Sequence, residues 1–240
     1  MTLRIAHLYP DMLNLYGDRG NIIALTERTK ARNIDVTVDA VTMGKSFNAD
    51  DYDILFIGGG QDFEQDVLLD DLKKGKDEQI SRAINNGIAM LAICGGYQML
   101  GKYYKTYDGK MLEYIGAIDF YTEGREERMI GNFAYKTKEG IEVVGFENHS
   151  GRTYLGKDTE PLGKMIKGYG NNGEDGTEGV RFKNTFGTYS HGPVLPKNPQ
   201  LTDLIISKAL ENKYGSAQLA PLDDTLEAKA REQVRKLYFK

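Results

Sequence analysis

Along the first hundred residues the apolar positions fall into two kinds of run. Short, mostly solid runs recur at 3–8 (LRIAHL), 53–57 (DILFI) and 88–93 (IAMLAI). A strand with almost no polar position is buried on both faces, as strands of a parallel sheet are. The run at 34–41 (IDVTVDAV) instead alternates, so one of its faces meets water. Helical spacing lies between these runs, over 21–32, 65–74 and 77–86, and Gly87 closes the last as an expected C′ residue. Strand and helix alternate in this way through about residue 105, which predicts a parallel sheet covered on both sides.

The pattern changes after residue 114. Strands are expected at 115–121, 130–135, 141–146, 180–182 and 185–189, short and separated by many glycines. The stretch 167–179 (KGYGNNGEDGTEG) reads as turns. Helical sequence returns at 200–213, and a charged amphipathic helix is expected at 223–238. There is no repeat and no long linker. The expectation is one α/β domain over 1–240: a central, mostly parallel sheet flanked by helices, with short antiparallel strands in the second half.

Composition narrows the function. The 240 residues carry 31 Lys plus Arg against 35 Asp plus Glu, a formal charge of -4. That excludes a broad basic surface for nucleic acid. A single cysteine excludes an intrachain disulfide and a multi-cysteine metal site, and no metal is expected. The opening MTLRIAHLYP has no basic-then-apolar run, and no stretch approaches the ~18 apolar residues of a membrane span. These features point to a soluble, cytoplasmic protein with no membrane insertion.

The sharpest chemistry lies at 92–98, AICGGYQ, where Cys94 follows an apolar strand and precedes two glycines and an expected helix over 97–102. That arrangement is a nucleophile elbow: a tight turn lifts the side chain above the sheet edge and leaves the next backbone N–H free for an oxyanion. The positive end of a following helix would favour thiolate. The competing reading is a buried structural cysteine. A cysteine hydrolase also needs a base, and there are three histidines. His7, inside the first strand, reads as packed. His149 follows a strand and His191 ends the last one. Both could serve, and the strand-end placement favours His191. Gly58-Gly59-Gly60 could present N–H groups at the sheet's carboxyl edge or be a plain turn. Arg125 and Arg128 alone read as a solvated charged loop. Gly44-Lys45-Ser46 is no phosphate-binding loop, because the required first glycine would fall on Asp39.

CGGYQ after one apolar strand, GGG after an earlier one and TYSHGP late in the chain together resemble class I glutamine amidotransferases of the cobyric-acid-synthase type. YPDMLNLYGDRGN, GFENHSGRTY and the absence of a fused synthetase narrow the resemblance to free-standing glutaminase subunits that serve lipid II amidation. It spans essentially the whole chain and implies the single-domain, flavodoxin-like fold of that class. Carried over by position, it implies that Cys94 attacks the side-chain amide of glutamine and that His191 is general acid and base. The N–H groups of Gly59 and Gly95 would form the oxyanion hole, and Gln98 and Arg128 would hold glutamine. It further implies a heterodimer in which ammonia passes to a Mur-ligase-like, MurT-type synthetase. ATP and Mg would bind there, with no cofactor on this chain. The D-glutamate of lipid II would become D-isoglutamine in peptidoglycan synthesis.

Two positions depart from the pattern. Ala92 stands where many members have glycine. Pro193 stands two past His191, where many have a glutamate that completes a triad. Proline cannot orient an imidazole, so the site works as a dyad or another acid serves; the expectation is that the partner supplies it. Other readings are a glutaminase for a different synthetase such as a corrinoid amidase, a non-catalytic binding module on the same fold, and a cysteine peptidase, for which the sequence offers no peptide groove.

Overall fold

The computed structural model describes residues 1–239. Its first part runs β1 (Thr2–Leu8), α1 (Arg19–Lys30), β2 (Asp35–Val41), β3 (Ile54–Ile57), α2 (Asp62–Asp71), α3 (Asp77–Asn85) and β4 (Ala89–Ile93). The strands pair in parallel in the order β4-β3-β1-β2. All of β3 and β4 is buried, whereas β2 is an edge strand that buries little besides Val41. The solid and the alternating runs thus mark centre and edge. Because β1→β2 and β3→β4 step in opposite directions, right-handed crossovers put α1 and the α2–α3 pair on opposite faces. The helix expected at 65–74 ends at Asp71, since Lys74 and Gly75 leave helical geometry, Gly75 with φ 104°. Gly87 takes φ 73° as a C′ residue should.

A one-turn helix α4 (Gly95–Gln98) follows β4, then β5 (Tyr103–Lys105) and β6 (Met111–Glu113). The second half holds short strands, as expected, but two of its strands are long. β7 (Phe120–Thr137) and β8 (Glu142–Leu155) are 18 and 14 residues long and form one antiparallel hairpin. With β9 (Gly163–Lys167), β10 (Thr177–Glu178), β5 and β6 they make a second sheet. The expected strand at 115–121 starts only at Phe120. Before it, the N–H groups of Ile115, Gly116 and Ile118 bind carbonyls of Met99, Gly101 and Leu100, so this segment wraps the turn behind the elbow.

The chain returns to the first sheet with β11 (Val180–Phe182) and β12 (Thr185–Thr188); β12 runs parallel to β4. It ends in α5 (Val194–Lys197), α6 (Pro199–Tyr214) and α7 (Thr225–Tyr238). α7 buries no residue. One connected set of buried apolar side chains runs through both sheets. The sheets are stitched together at His191, which exchanges backbone hydrogen bonds with Phe146 of β8 (2.8 and 3.4 Å). No helix among the described residues is long and apolar enough to cross a membrane.

Candidate active site

Cys94 leaves β4 with φ 48° and ψ -106°, a conformation that a non-glycine residue adopts only under constraint. Its N–H is held by Thr188 O of β12 at 2.8 Å, and its carbonyl accepts from Gln98 N at 2.9 Å. The glycines around it are required by contact. A Cβ on Gly96 would lie 2.6 Å from Gly58 O, and one on Gly95 would lie 2.7 Å from Gly60 O. The elbow and the GGG loop therefore stand back to back with no room for side chains. The segment before α1 presses on the same loop, so that a Cβ on Gly58 would come within 2.1 Å of Leu13 O. GGG is no plain turn.

The helix expected over 97–102 does not form. α4 stops at Gln98, and Leu100 and Gly101 turn back to Tyr97 O and Gln98 O. Gly101 lies flat against Phe120, where a Cβ would be 2.4 Å from its ring. One turn carries little macrodipole, so this helix end adds little to the stability of a thiolate.

His191 lies close to Cys94 across Gly59. A Cβ on Gly59 would sit 2.8 Å from His191 Cε1, 3.4 Å from Cys94 Cβ and 3.2 Å from Asp18 Oδ2. Cysteine, imidazole and a carboxylate thus converge on one α-carbon. The His191 ring is fully buried, and neither nitrogen has a hydrogen-bond partner. Burial, with His149 and Arg128 nearby, lowers its pKa to about 3, so the imidazole is neutral. Tyr16 covers it edge-on, with ring centroids 4.9 Å apart.

His149 lies inside β8 rather than after a strand. It stacks on Tyr189 with centroids 3.6 Å apart, and its Nδ1 lies 2.8 Å from Gly151 O. Burial lowers its pKa as well. It borders the same cleft, but its ring is committed to Tyr189.

That cleft, about 210 Å³, is bounded by Cys94, Gly60, Phe63, Gln98, Arg128, His149 and Gly151, among others. Arg128 is not in a free loop. Between Gly124 and Met129 the β7 register breaks against Gly151 and His149 of β8, so four residues of β7 bulge opposite Ser150 alone. The bulge carries Arg128 to the cleft, where Asn148 accepts two of its N–H groups. No ion pair holds Arg128 among the described residues. Gln98 is buried, donates to Tyr189 OH (3.1 Å) and accepts from Gln65 Nε2 (3.1 Å).

The N–H of Gly95 opens α4 and has no intrahelical acceptor. Gly59 differs. Its N–H donates to Asp18 Oδ2 at 2.6 Å. Asp18, Tyr16, Asn148 and Gln65 were missed by sequence reasoning. The first two lie in the YGDRGN segment and Asn148 in ENHSG, stretches that the resemblance flagged without assigning roles.

The cleft thus brings together a strained cysteine at a β–α elbow, a neutral imidazole beside it and, among the described residues, an arginine with no ion-pair partner. Residues 4–199 match the model of the CobB/CobQ-like glutamine amidotransferase domain, and the chain belongs to that family. It is 46% identical over 230 residues to the "Lipid II isoglutaminyl synthase (glutamine-hydrolyzing) subunit GatD" of Staphylococcus aureus, covering 96% of this chain and 93% of that protein. The protein of the same name from Streptococcus pneumoniae is 44% identical over 96% and 90%. In fold, the chain resembles a glutamine amidotransferase from Thermotoga maritima, with a TM-score of 0.56 at 15% identity over 98% and 92%.

Proposed function

We propose that this chain is the glutaminase subunit of a lipid II isoglutaminyl synthase. It hydrolyses glutamine to glutamate and ammonia and hands the ammonia to a Mur-ligase-like, MurT-type partner in the cytoplasm. That partner would use ATP and Mg to activate the D-glutamate carboxyl of the lipid II stem, giving D-isoglutamine. The observation that carries the reading is near full-length similarity to the two GatD proteins together with Cys94 held at positive φ against His191.

The chemistry follows from the groups present. Neutral His191 takes the thiol proton of Cys94 as sulfur adds to the glutamine carboxamide. The N–H of Gly95 stabilises the tetrahedral oxyanion, joined by that of Gly59 once it leaves Asp18. His191 returns the proton to the departing ammonia, and water then releases glutamate from the thioester with the same ring as base. Arg128, with Asn148 fixing one side of its guanidinium, binds the α-carboxylate of glutamine. Gln98 shapes the wall.

Cys94→Ala in the assembled complex tests this. Glutamine-dependent amidation should vanish while amidation from added ammonia persists. Loss of both would make Cys94 structural and overturn the reading.

A further inference from the structure

Gly59 is held through both its N–H and its carbonyl by the segment preceding α1. Leu15 N–H donates to Gly59 O at 3.1 Å, and Gly59 N–H donates to Asp18 Oδ2 at 2.6 Å. An N–H aimed at a carboxylate cannot at the same time meet an oxyanion forming at Cys94. As the chain stands, one of the two expected oxyanion donors is therefore occupied.

Asp18 is suited to a hold that can be released. It is fully buried and its Oδ1 has no partner, so the carboxylate is under-satisfied where it lies. Burial pushes its pKa up to about 7, which weakens it as a fixed anion. Gly58, Gly59 and Gly60 have no side chains to sweep through the crowded loop, so the peptide between Gly58 and Gly59 can turn where any other sequence would collide.

We propose that Asp18 is a positioning residue of the glutaminase site, holding the Gly59 N–H out of the oxyanion hole until bound glutamine or the docked synthetase draws it away. The proposal rests on the glutaminase reading above. It makes the resting subunit a slow enzyme whose donor is already built and lacks only release.

The test is steady-state glutamate release by the purified full chain, wild type against Asp18→Ala and Asp18→Asn, with melting curves to establish folding. Asp18→Ala should raise kcat about ten-fold, a factor within the worth of a charge-assisted hydrogen bond, with KM for glutamine little changed. A glutamine-derived aldehyde, whose hemithioacetal oxygen occupies the oxyanion position, should bind about ten-fold tighter to Asp18→Ala. Glutamate, which forms no oxyanion, should bind as before. Asp18→Asn keeps a neutral acceptor and should fall between wild type and Asp18→Ala. An unchanged or lower kcat in Asp18→Ala overturns the proposal. So does a joint fall in both variants with a shifted acid limb of the pH profile, which would make Asp18 the acid that serves His191. If Asp18→Ala does not fold, Asp18→Asn decides: a raised kcat supports the proposal, and any other result overturns it. Release that survives Cys94→Ala would mean that the glutaminase reading itself has failed. Release that needs Cys94 but ignores Asp18 overturns only the positioning role of Asp18.

Discussion

Asn148 grips Arg128 twice: its side-chain Oδ1 accepts from Nε at 2.8 Å and its backbone carbonyl from Nη2 at 3.0 Å. The same side chain donates to Tyr16 OH, and the Tyr16 ring covers His191. Arg128 and the cover of His191 are thereby linked through one asparagine. Arg128→Ala should raise KM for glutamine about 10- to 100-fold, the worth of hydrogen bonds to a charged group, and leave kcat within a few-fold. Arg128→Lys should recover only part of this, since an ammonium cannot span a carboxylate as a fork does. Asn148→Ala should raise KM and also lower kcat, because it loosens Tyr16 over His191. Initial rates across glutamine concentration check all three, and an unchanged KM in Arg128→Ala would remove it from the binding site.

Glycine at 58 is dictated by the backbone of another segment. A Cβ there would stand 2.1 Å from Leu13 O, which cannot swing aside as a side chain could. Gly58→Ala should cost about 1–3 kcal/mol, a fall in Tm of a few degrees at ~2–4 °C per kcal/mol. Gly131→Ala is the control, since nothing lies within 4 Å of its added methyl. Thermal melts should separate the two; equal Tm values would mean that the loop before α1 does not sit on GGG as described.

Buried acids set a pH dependence. Glu178 accepts from Thr188 Oγ1 (2.6 Å) and Tyr189 N (2.8 Å), its Oε2 has no partner, and burial pushes its pKa up to about 8. With Asp18 near 7, the folded chain keeps protons that the unfolded chain releases around pH 4. Their stabilisation is whole below that pH and lost as pH climbs through 7 to 8. The histidines act the other way. Folded values of about 3 for His191 and about 4 for His7 cost stability as pH drops below about 6.5, and this cost is nearly spent by pH 7. Unfolding free energy should therefore fall between pH 7 and 8.5. The slope should be ~1.4 kcal/mol per unit for each acid still protonated in the folded chain and fade as pH passes its folded pKa. Glu178→Gln should flatten it. Denaturant melts at three pH values measure this, and a wild-type curve that stays level or rises would contradict it.

Much of the first sheet was legible because local pattern and burial agree there. DILFI and IAMLAI are solid because both faces are covered, and IDVTVDAV alternates because β2 is an edge. The elbow was legible because the turn at Cys94 needs small residues at fixed offsets. The long hairpin was not. In β7, GREER interrupts the apolar alternation, and only pairing with β8 shows that these residues bulge from a continuous strand. The short α4 was hidden for a similar reason: 97–102 has helical composition, but packing of Gly101 on Phe120 ends the helix. Asp18 was illegible because an aspartate in a glycine-flanked turn looks solvated, and only tertiary contact reveals it beneath Gly59. Pro193, which replaces an expected acid, has its own packing role: a Cβ on Gly20 of α1 would meet its ring at 2.4 Å.

In the proposed function the Cys94 sulfur, at the edge of the cleft and close to His191, is the nucleophile that attacks glutamine. Peptide-mapping mass spectrometry after exposure of the full chain to a chloroketone analogue of glutamine tests it most directly. The expected result is a single adduct on Cys94, suppressed by excess glutamine and formed far more slowly in His191→Ala. An unlabelled Cys94, or labelling that glutamine does not compete and His191→Ala does not slow, would contradict the account.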